Sequence, residues 1–530
     1  KKAEQSFSEF LQYAACVDEG VMLLKSGGFM CAAEFSGQDG ESAGPEELEA
    51  IASRLSSSLS GLGTRWLVNI NSVRTPIGSY ITREDEHYPG PAVTRAIEAE
   101  RRAFFSSERA LQLQTRSVMY LTFIPERAGK GFKFVEAEES NSFQRDLTQF
   151  KKTSEDFINS LTQFFRVRFL SSVELLRGLD QCLTGLNRPI EMPAIPMYLD
   201  AYLSSNFVGG TRPQIAGRHV RVVSVTNYPS STWPLMLQVA AGFSFEYRWS
   251  LRWVPLSKQD AEAQIQKIQN AWGNNKQTLG SMMKEAAGMR GGTTVRGDAL
   301  VMEQDAFEAG TYLASGEVGA GYLTQTFVIH ADNEDRANEL SRSVVKQLGD
   351  AGFKAEVETF ASAESFLGSL PGHALWDLRR PMMHSMNLSH IMPTSTSWAG
   401  PSAHPCAFYP ANSKPLFQAA AAGGAVFRGC LHESDLGHTM IAGPTGAGKS
   451  TLLSFLVASH LRYQNAKVFW FDKGYSAIAL TLATGGLHFD LATDGSKALA
   501  PLQDLDSDGA RAKAEEWVLT VVQMSGLKNI

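Results

Sequence analysis

The sequence predicts a multidomain chain that combines α+β and α/β architecture, a long N-terminal α+β region followed by a P-loop domain. Three observations lead there. At 530 residues the chain is longer than one hydrophobic core usually organises, so about two to four domains are expected. Short β-prone runs alternate with amphipathic stretches as far as Pro371. Near the far end, Gly443-Pro-Thr-Gly-Ala-Gly-Lys-Ser450 matches the pattern G-x-x-x-x-G-K-[ST]. Its setting matches as well, with an apolar lead-in (Met440, Ile441, Ala442) and an apolar helical run from Leu452 to Leu461.

Composition narrows the class. A hydrophobic content of 43% and a charged content of 20% exclude a disordered or fibrous chain. The net charge of −6 supplies no overall basic field for bulk nucleic-acid binding, which leaves room only for a local basic channel. Five scattered cysteines, with no Cys-x-x-Cys pair, fit reduced thiols in a cytoplasmic setting. His384, His390 and His404 lack zinc-type spacing and read as loop residues. No run of about 18 apolar residues is present to span a bilayer. The start, Lys1-Lys-Ala-Glu-Gln5, carries neither a signal core nor an initiating Met, as expected of a chain beginning inside a longer polypeptide.

The elements follow in order. Val21–Leu24 and Phe29–Phe35 flank Lys25-Ser-Gly-Gly28 and read as a hairpin. Leu48, Ile51, Leu55 and Leu59 make a helix of Pro45–Leu62, with acids in its first turn. Trp66–Ile70 returns as a strand, a polar helix covers about Val93–Leu113, and Val118–Ile124 is strongly β-prone. Phe143, Leu147, Phe150, Phe157, Leu161 and Phe164 form an amphipathic stripe read as core packing. After the strand His219–Val225, the alternating Phe243, Phe245, Tyr247, Trp249, Leu251 and Trp253 predict one buried sheet face with polar residues outward. Base stacking on that row is the competing reading, and only Arg248 and Arg252 interleave it. Ser257-Lys-Gln-Asp260 is a capping box. The strand Leu323–His330, the helix Glu334–Leu348 and the strand Ala355–Phe360 complete a second α+β unit. Met289–Gly297 reads as mobile, and Gly316, Gly319 and Gly321 precede a strand instead of a helix, so they are no second phosphate loop. These readings divide the chain into α+β domains at 1–195 and 196–372, a Pro/Ser/His/Met-rich linker at 373–415, and a P-loop domain at 416–530.

In the P-loop pattern, glycines let the backbone fold into a nest of inward-pointing N–H groups, and the following helix adds unpaired N–H groups and its positive dipole end. Lys449 would reach β- and γ-phosphates and Ser450 would present its hydroxyl to Mg²⁺. Lys467–Phe471 reads as a second buried strand ending in Asp472, which should then lie near the nucleotide cleft or simply cap the strand end. No convincing apolar strand ending in an acidic pair follows Phe471, so the domain looks incomplete at its C-terminal side and would bind nucleotide better than it hydrolyses it.

Several motifs in series resemble a known family. They are Phe10-Leu-Gln-Tyr-Ala-Ala15, Val17–Gly27, Ser36-Gly-Gln-Asp39, Glu98–Phe104, Tyr120–Pro125, Phe366–Gly372, Gly443–Ser450 and Phe471-Asp-Lys-Gly474. The series resembles the TrbE/CagE ATPases of type IV secretion and conjugation systems, with the TrbE branch most similar. The resemblance implies a RecA-like motor binding ATP and Mg²⁺, with Gly443, Gly446 and Gly448 shaping the loop, and Pro444, Thr445 and Ala447 completing it. It implies Lys449 on phosphate, Ser450 on Mg²⁺, and Thr451 on an α-phosphate oxygen. It further implies a homo-oligomer, commonly a hexamer, docked from the cytoplasm on inner-membrane components and serving pilus assembly or transfer of DNA or protein. Ala500 stands where the family usually has Asn, and the family's Mg²⁺-binding acids, water-activating carboxylate and arginine finger have no counterpart in these residues. A DNA-pumping coupling ATPase, and a non-hydrolysing docking platform, are the alternatives.

Overall fold

The computed structural model describes residues 6–526 apart from 38–39, 41–42, 78–79, 81–89, 108–111, 126–136, 196, 230, 268–317, 375–378, 396–397, 412, 422–423, 464, 492–499 and 504. Met289–Gly297 and Gly316 lie outside these residues. The strands are β1 (Tyr13–Asp18), β2 (Val21–Leu24), β3 (Phe29–Ser36), β4 (Trp66–Pro76), β5 (Leu113–Phe123), β6 (Arg166–Phe169), β7 (Phe207–Val208), β8 (Gln214–Ile215), β9 (Arg218–Asn227), β10 (Tyr247–Pro255), β11 (Ala320–Ala331), β12 (Lys354–Val357), β13 (Met382–His384), β14 (Phe417–Ala420) and β15 (Val426–Gly429). The helices are α1 (Phe7–Phe10), α2 (Pro45–Ser60), α3 (Ala92–Phe105), α4 (Ala137–Leu161), α5 (Ser172–Thr184), α6 (Leu199–Leu203), α7 (Glu334–Asp350), α8 (Ser362–Gly368), α9 (Ser385–Ile391), α10 (Lys449–His460), α11 (Ile478–Ala483) and α12 (Asp508–Met524).

The chain forms two compact units. The first holds residues 1–79, 105–401 and 418–429, and the second holds 80–104, 402–417 and 430–530. The first unit is built on a large antiparallel sheet in the order β1-β2-β3-β5-β4-β10-β11-β9-β8-β7, with β6 on β3, β12 on β9 and β13 on β11. The sheet runs straight through the boundary expected near residue 195. β4 pairs β5 over its whole length, from Trp66 opposite Phe123 to Pro76 opposite Leu113, and pairs β10 on its other side through Ser72 and Trp249. Local periodicity locates strands but carries no information on their distant partners, so the two expected α+β domains share one sheet.

Both faces of that sheet are buried. One is packed by Phe29, Trp66, Ile70, Phe150, Trp249, Trp253 and Phe327, beneath α2, α4 and α7. The aromatic row of β10 lies here, with Trp249 stacked on Phe327 at 5.5 Å between ring centroids, which settles it as core rather than a base-stacking platform. The other face is packed by Tyr13, Met22, Tyr120, Leu175, Leu179, Val328 and Phe366. Here the sequence expectation of polar residues turned to solvent is wrong. Arg248, Ser250 and Arg252 are all buried, because α5 and α8 cover the face they point to. Arg248 donates through Nη1 to Asn71 Oδ1 (3.0 Å) and to the carbonyl of Ser369 (2.8 Å), and through Nη2 to Ser369 Oγ (2.6 Å). Ser250 Oγ donates to the same carbonyl, and Arg252 Nη2 donates to the carbonyl of Ala374. Both terminal nitrogens of Arg248 are thereby paired, which offsets part of the cost of burying a guanidinium.

Two buried histidines accompany these arginines. Burial, together with the neighbouring Arg248 and Arg218, pulls His330 down to about 3, and burial with Arg252 and Lys25 does the same to His373. Both are neutral in the native state, whereas an unfolded histidine titrates near 6.5. As pH falls below 6.5 the unfolded state takes protons that the native state refuses. Their stabilisation is therefore complete above about pH 6.5 and is lost toward pH 3, at about 1.4 kcal/mol per pH unit per histidine. Urea midpoints should fall between pH 7.5 and 5.5, and His373→Gln should flatten that slope relative to its own value at pH 7.5. An unchanged slope in the variant would remove His373 from the account.

The segment expected as a linker, 373–415, is instead folded in its described parts. β13 extends the sheet alongside β11, with Met383 opposite Gly321, and α9 buries Leu388 and Ile391 completely. Ser385 at the start of α9 shares a 2.6 Å hydrogen bond with Ser56 of α2. Its Pro/Ser/His/Met composition lacks periodicity because the burial comes from scattered contacts, one turn at a time. His384 and His390, expected in loops, lie in β13 and α9, and His390 Nδ1 is 2.9 Å from Thr232 Oγ1.

Candidate functional site

The candidate site lies in the second unit, at the start of α10. Helix α10 begins at Lys449 with Gly448 as its N-cap, and its first helical bond runs from Leu452 N to the carbonyl of Gly448 (2.9 Å). The N–H groups of Lys449, Ser450 and Thr451 consequently have no helical acceptor. The loop ahead of them is turned by Gly446 and Gly448, both left-handed at φ +84° and +85°. A Cβ at either position would meet nothing within 4 Å, so the demand for glycine is one of backbone conformation and not of space. Gly448→Ala should therefore cost about 1–2 kcal/mol of loop strain, roughly tenfold in anion affinity, with the rest of the unit intact. Phosphate-analogue titration alongside circular dichroism reads both, and unchanged affinity would mean the loop tolerates another conformation.

Lys449 folds back across the loop, donating from Nζ to the carbonyls of Gly443 (2.9 Å) and Pro444 (2.7 Å). The tight turn is closed by Ala447 N on the carbonyl of Pro444 (3.3 Å). Thr445, Ser450 and Thr451 are exposed. Free N–H groups at a helix start, a movable ammonium and two left-handed glycines make a donor set suited to a di- or triphosphate. For Mg²⁺ the loop offers the Ser450 hydroxyl, the first on the helix. Among the described residues no group of three His, Cys, Asp or Glu side chains could hold a metal ion.

Two expectations around the loop are corrected. The lead-in 440–442 and the segment 467–471 are not strands, and Phe469 and Phe471 are 83% and 94% exposed instead of buried. A strand exists through hydrogen bonds to a neighbour, and among the described residues no ladder partner reaches either segment. Asp472 serves its own turn: Oδ1 accepts from Gly474 N (3.0 Å), and Oδ2 accepts from Ala477 N (2.9 Å) and Ser476 Oγ (3.2 Å). Those bonds, led by the one from Ala477, hold its carboxyl below the usual range. It caps the turn into α11.

Sequence reading missed what supports α10. Tyr409 stacks on His404 (3.6 Å between centroids) and meets Tyr463 edge-on (4.7 Å), just past the end of α10. His404 Nδ1 accepts from Cys406 N, and burial with His432, Arg462 and His460 nearby lowers it to about 4. Helix α3 packs in this unit as well, although its sequence lies between β4 and β5. It ends at Phe105, well short of the Leu113 expected.

A glycine-rich turn running into a helix start is thus carried by a chain that also holds an extensive antiparallel α+β unit. Residues 20–131 match the model of the type IV secretion system ATPase VirB4/TrbE N-terminal domain, and residues 159–379 match that of the CagE, TrbE, VirB family, a component of type IV transporter systems. The conjugal transfer protein TrbE of Rhizobium radiobacter is 34% identical over 98% of this chain and 66% of its own length. Protein virB4 of Agrobacterium fabrum is 23% identical over 99% of this chain and 65% of its own length. The chain belongs to the CagE/TrbE/VirB family and spans about two thirds of these two relatives. Among the described residues no helix is long and apolar enough to cross a membrane.

Proposed function

We propose that this protein is an ATPase of a type IV secretion or conjugation machine, binding Mg–ATP at Gly443–Thr451 and energising assembly or substrate transfer. The observation that carries the reading is the loop itself: left-handed Gly446 and Gly448 ahead of a helix start whose first three N–H groups lack helical acceptors, with Lys449 folded over it. The similarity to TrbE over nearly the whole chain supports the machine to which it would belong. In this reading Lys449 exchanges its two carbonyl acceptors for β- and γ-phosphate oxygens, and Ser450 contributes a hydroxyl to Mg²⁺. Bound Mg²⁺ would neutralise charge developing on the phosphates. Gly443, Pro444, Thr445 and Ala447 hold the loop's shape, and Thr451 takes an α-phosphate oxygen. The working form is a homo-oligomer, a hexamer in the family's manner, peripheral on the cytoplasmic side of the inner membrane and in contact with membrane components of the apparatus.

Isothermal titration of the full-length protein with ATP, with and without Mg²⁺, followed by a phosphate-release assay, tests this directly. Micromolar binding with turnover supports a motor. Binding without turnover converts the protein to a nucleotide-gated docking platform, and no binding removes the proposal. Hydrolysis stimulated by DNA and falling steeply with salt would favour the DNA-pumping alternative.

A further inference from the structure

The glycine-rich loop of the second unit stands on a thin support. From 443 to 455 every residue is exposed or half-buried, and burial along α10 begins at Leu456. Leu456 and, ahead of the loop, Ile441 pack with Leu416 and Tyr463 in one small cluster, which holds both stems. At 1.5 Å per residue, the helix start at Lys449 projects about 10 Å beyond that first buried residue. A helix end of this kind frays unless packing holds it, because most helical stability in proteins comes from packing.

Another helix of the same unit supplies a hold closer to the loop. A Cβ at Gly90, just ahead of α3, would come within 3.1 Å of the carbonyl oxygen of Leu461, at the far end of α10. Toward the end of α3, the Arg101 guanidinium lies over the ring of Phe455, 4.5 Å from its centroid. Phe417 meets the same ring edge-on at 5.8 Å. Phe455 precedes Leu456, so of the two contacts with α3 this is the one nearer the loop. A cation held over an aromatic face contributes about 0.5–2 kcal/mol.

Arg101 is itself fixed. Tyr80 is buried, and its hydroxyl accepts from Arg101 Nε (3.1 Å) and donates to Oε2 of buried Glu98 (2.8 Å). Burial and the Glu98 carboxylate push the phenol up to about 12, so it keeps its proton and serves as the donor. Glu98 and Arg101 share one face of α3. The phenol thus joins a carboxylate to a guanidinium through charge-assisted hydrogen bonds, which fix the direction of the guanidinium over Phe455.

We propose that Arg101 and Phe455 are positioning residues of the nucleotide site: their contact holds the first turns of α10, so that the N–H groups of Lys449, Ser450 and Thr451 are aimed before the phosphates arrive. The inference rests on the nucleotide-binding reading of Gly443–Thr451. Both side chains act through the direction of the helix, and donors that are already ordered bind without the entropic cost of ordering them.

The test uses the full-length protein and two pairs of variants. Arg101→Met and Phe455→Leu remove the cation or the ring, whereas Arg101→Lys and Phe455→Tyr keep it. Hydrogen exchange is followed without nucleotide, and affinity for Mg–AMP-PNP is measured by titration calorimetry. In Arg101→Met and Phe455→Leu, exchange at 452–455 should quicken and affinity should fall, each by roughly three- to tenfold, while exchange at 458–461 stays near wild type. Arg101→Lys and Phe455→Tyr should restore both quantities to within about twofold of wild type. Wild-type affinity and exchange in Arg101→Met would overturn the proposal, and so would an equal loss in Arg101→Lys. Quickening that extends through 458–461 would also overturn it, since the unit as a whole would then have loosened. Absence of binding by the wild type would instead remove the nucleotide reading, and the exchange comparison would still decide whether the contact holds the helix.

Discussion

Replacing Lys449 by alanine is expected to weaken Mg–ATP binding at least about 100-fold, with the fold of both units retained. The ammonium is the one positive side chain in the loop, and each charge-assisted hydrogen bond to phosphate contributes about 1.5–3 kcal/mol. Losing one or two such bonds costs about 3 kcal/mol or more, which is the stated factor. Without nucleotide the same group makes only two hydrogen bonds to loop carbonyls at the surface, so its removal should hardly move the melting temperature. Calorimetric titration and thermal melting, run on the same preparation, separate the two effects. An affinity within threefold of wild type would sink the assignment of Lys449, whatever the loop's shape.

The second large effect is expected at Arg248. Arg248→Ala should destabilise the first unit by about 3–5 kcal/mol, the range for truncating a buried, hydrogen-bonded charge or a large core side chain. The variant removes the Arg248 donor to Asn71 Oδ1, leaves the Ser369 carbonyl with Ser250 Oγ alone, and empties the space beside Phe366, over which the guanidinium lies at 5.8 Å. Arg248→Met fills most of the volume and removes the desolvated charge, so it should lose less. Urea unfolding with an unchanged slope would report stability alone. A loss under about 1 kcal/mol for Arg248→Ala would mean that α8 and the turn after it can repack or admit water.

These two residues also mark how legible the protein was. Lys449 sits in a contiguous motif whose chemistry is local, and the structure places its helix start where the motif predicts. Arg248 was visible only as a polar residue alternating with aromatics, and alternation alone assigned it to solvent. What buries it is α8, more than 100 positions away in the chain. Helices α2, α4 and α7 and strands β2, β3, β9, β11 and β12 were readable for the same reason as the loop, since each is encoded by a short periodic pattern. The expected strand at 467–471 shows the converse. A β-prone run predicts a strand only if a partner is there to pair it, and none is among the described residues.

Asp472 illustrates a subtler limit. An acidic residue after an apolar run is equally suited to a metal or to the next turn, and in the structure its oxygens accept from Gly474, Ser476 and Ala477. The sequence by itself determined the Gly443–Ser450 motif and the helix start behind it, most individual elements and the family. Each depends on residues within one turn, one strand or one short motif of each other. Tertiary structure alone decided that one sheet spans both expected α+β domains, that β13 and α9 within the expected linker pack with it, and that α3 lies in the unit that carries the loop. Those outcomes depend on which surfaces remain to be buried once the local elements have formed, and that information is distributed over the whole chain.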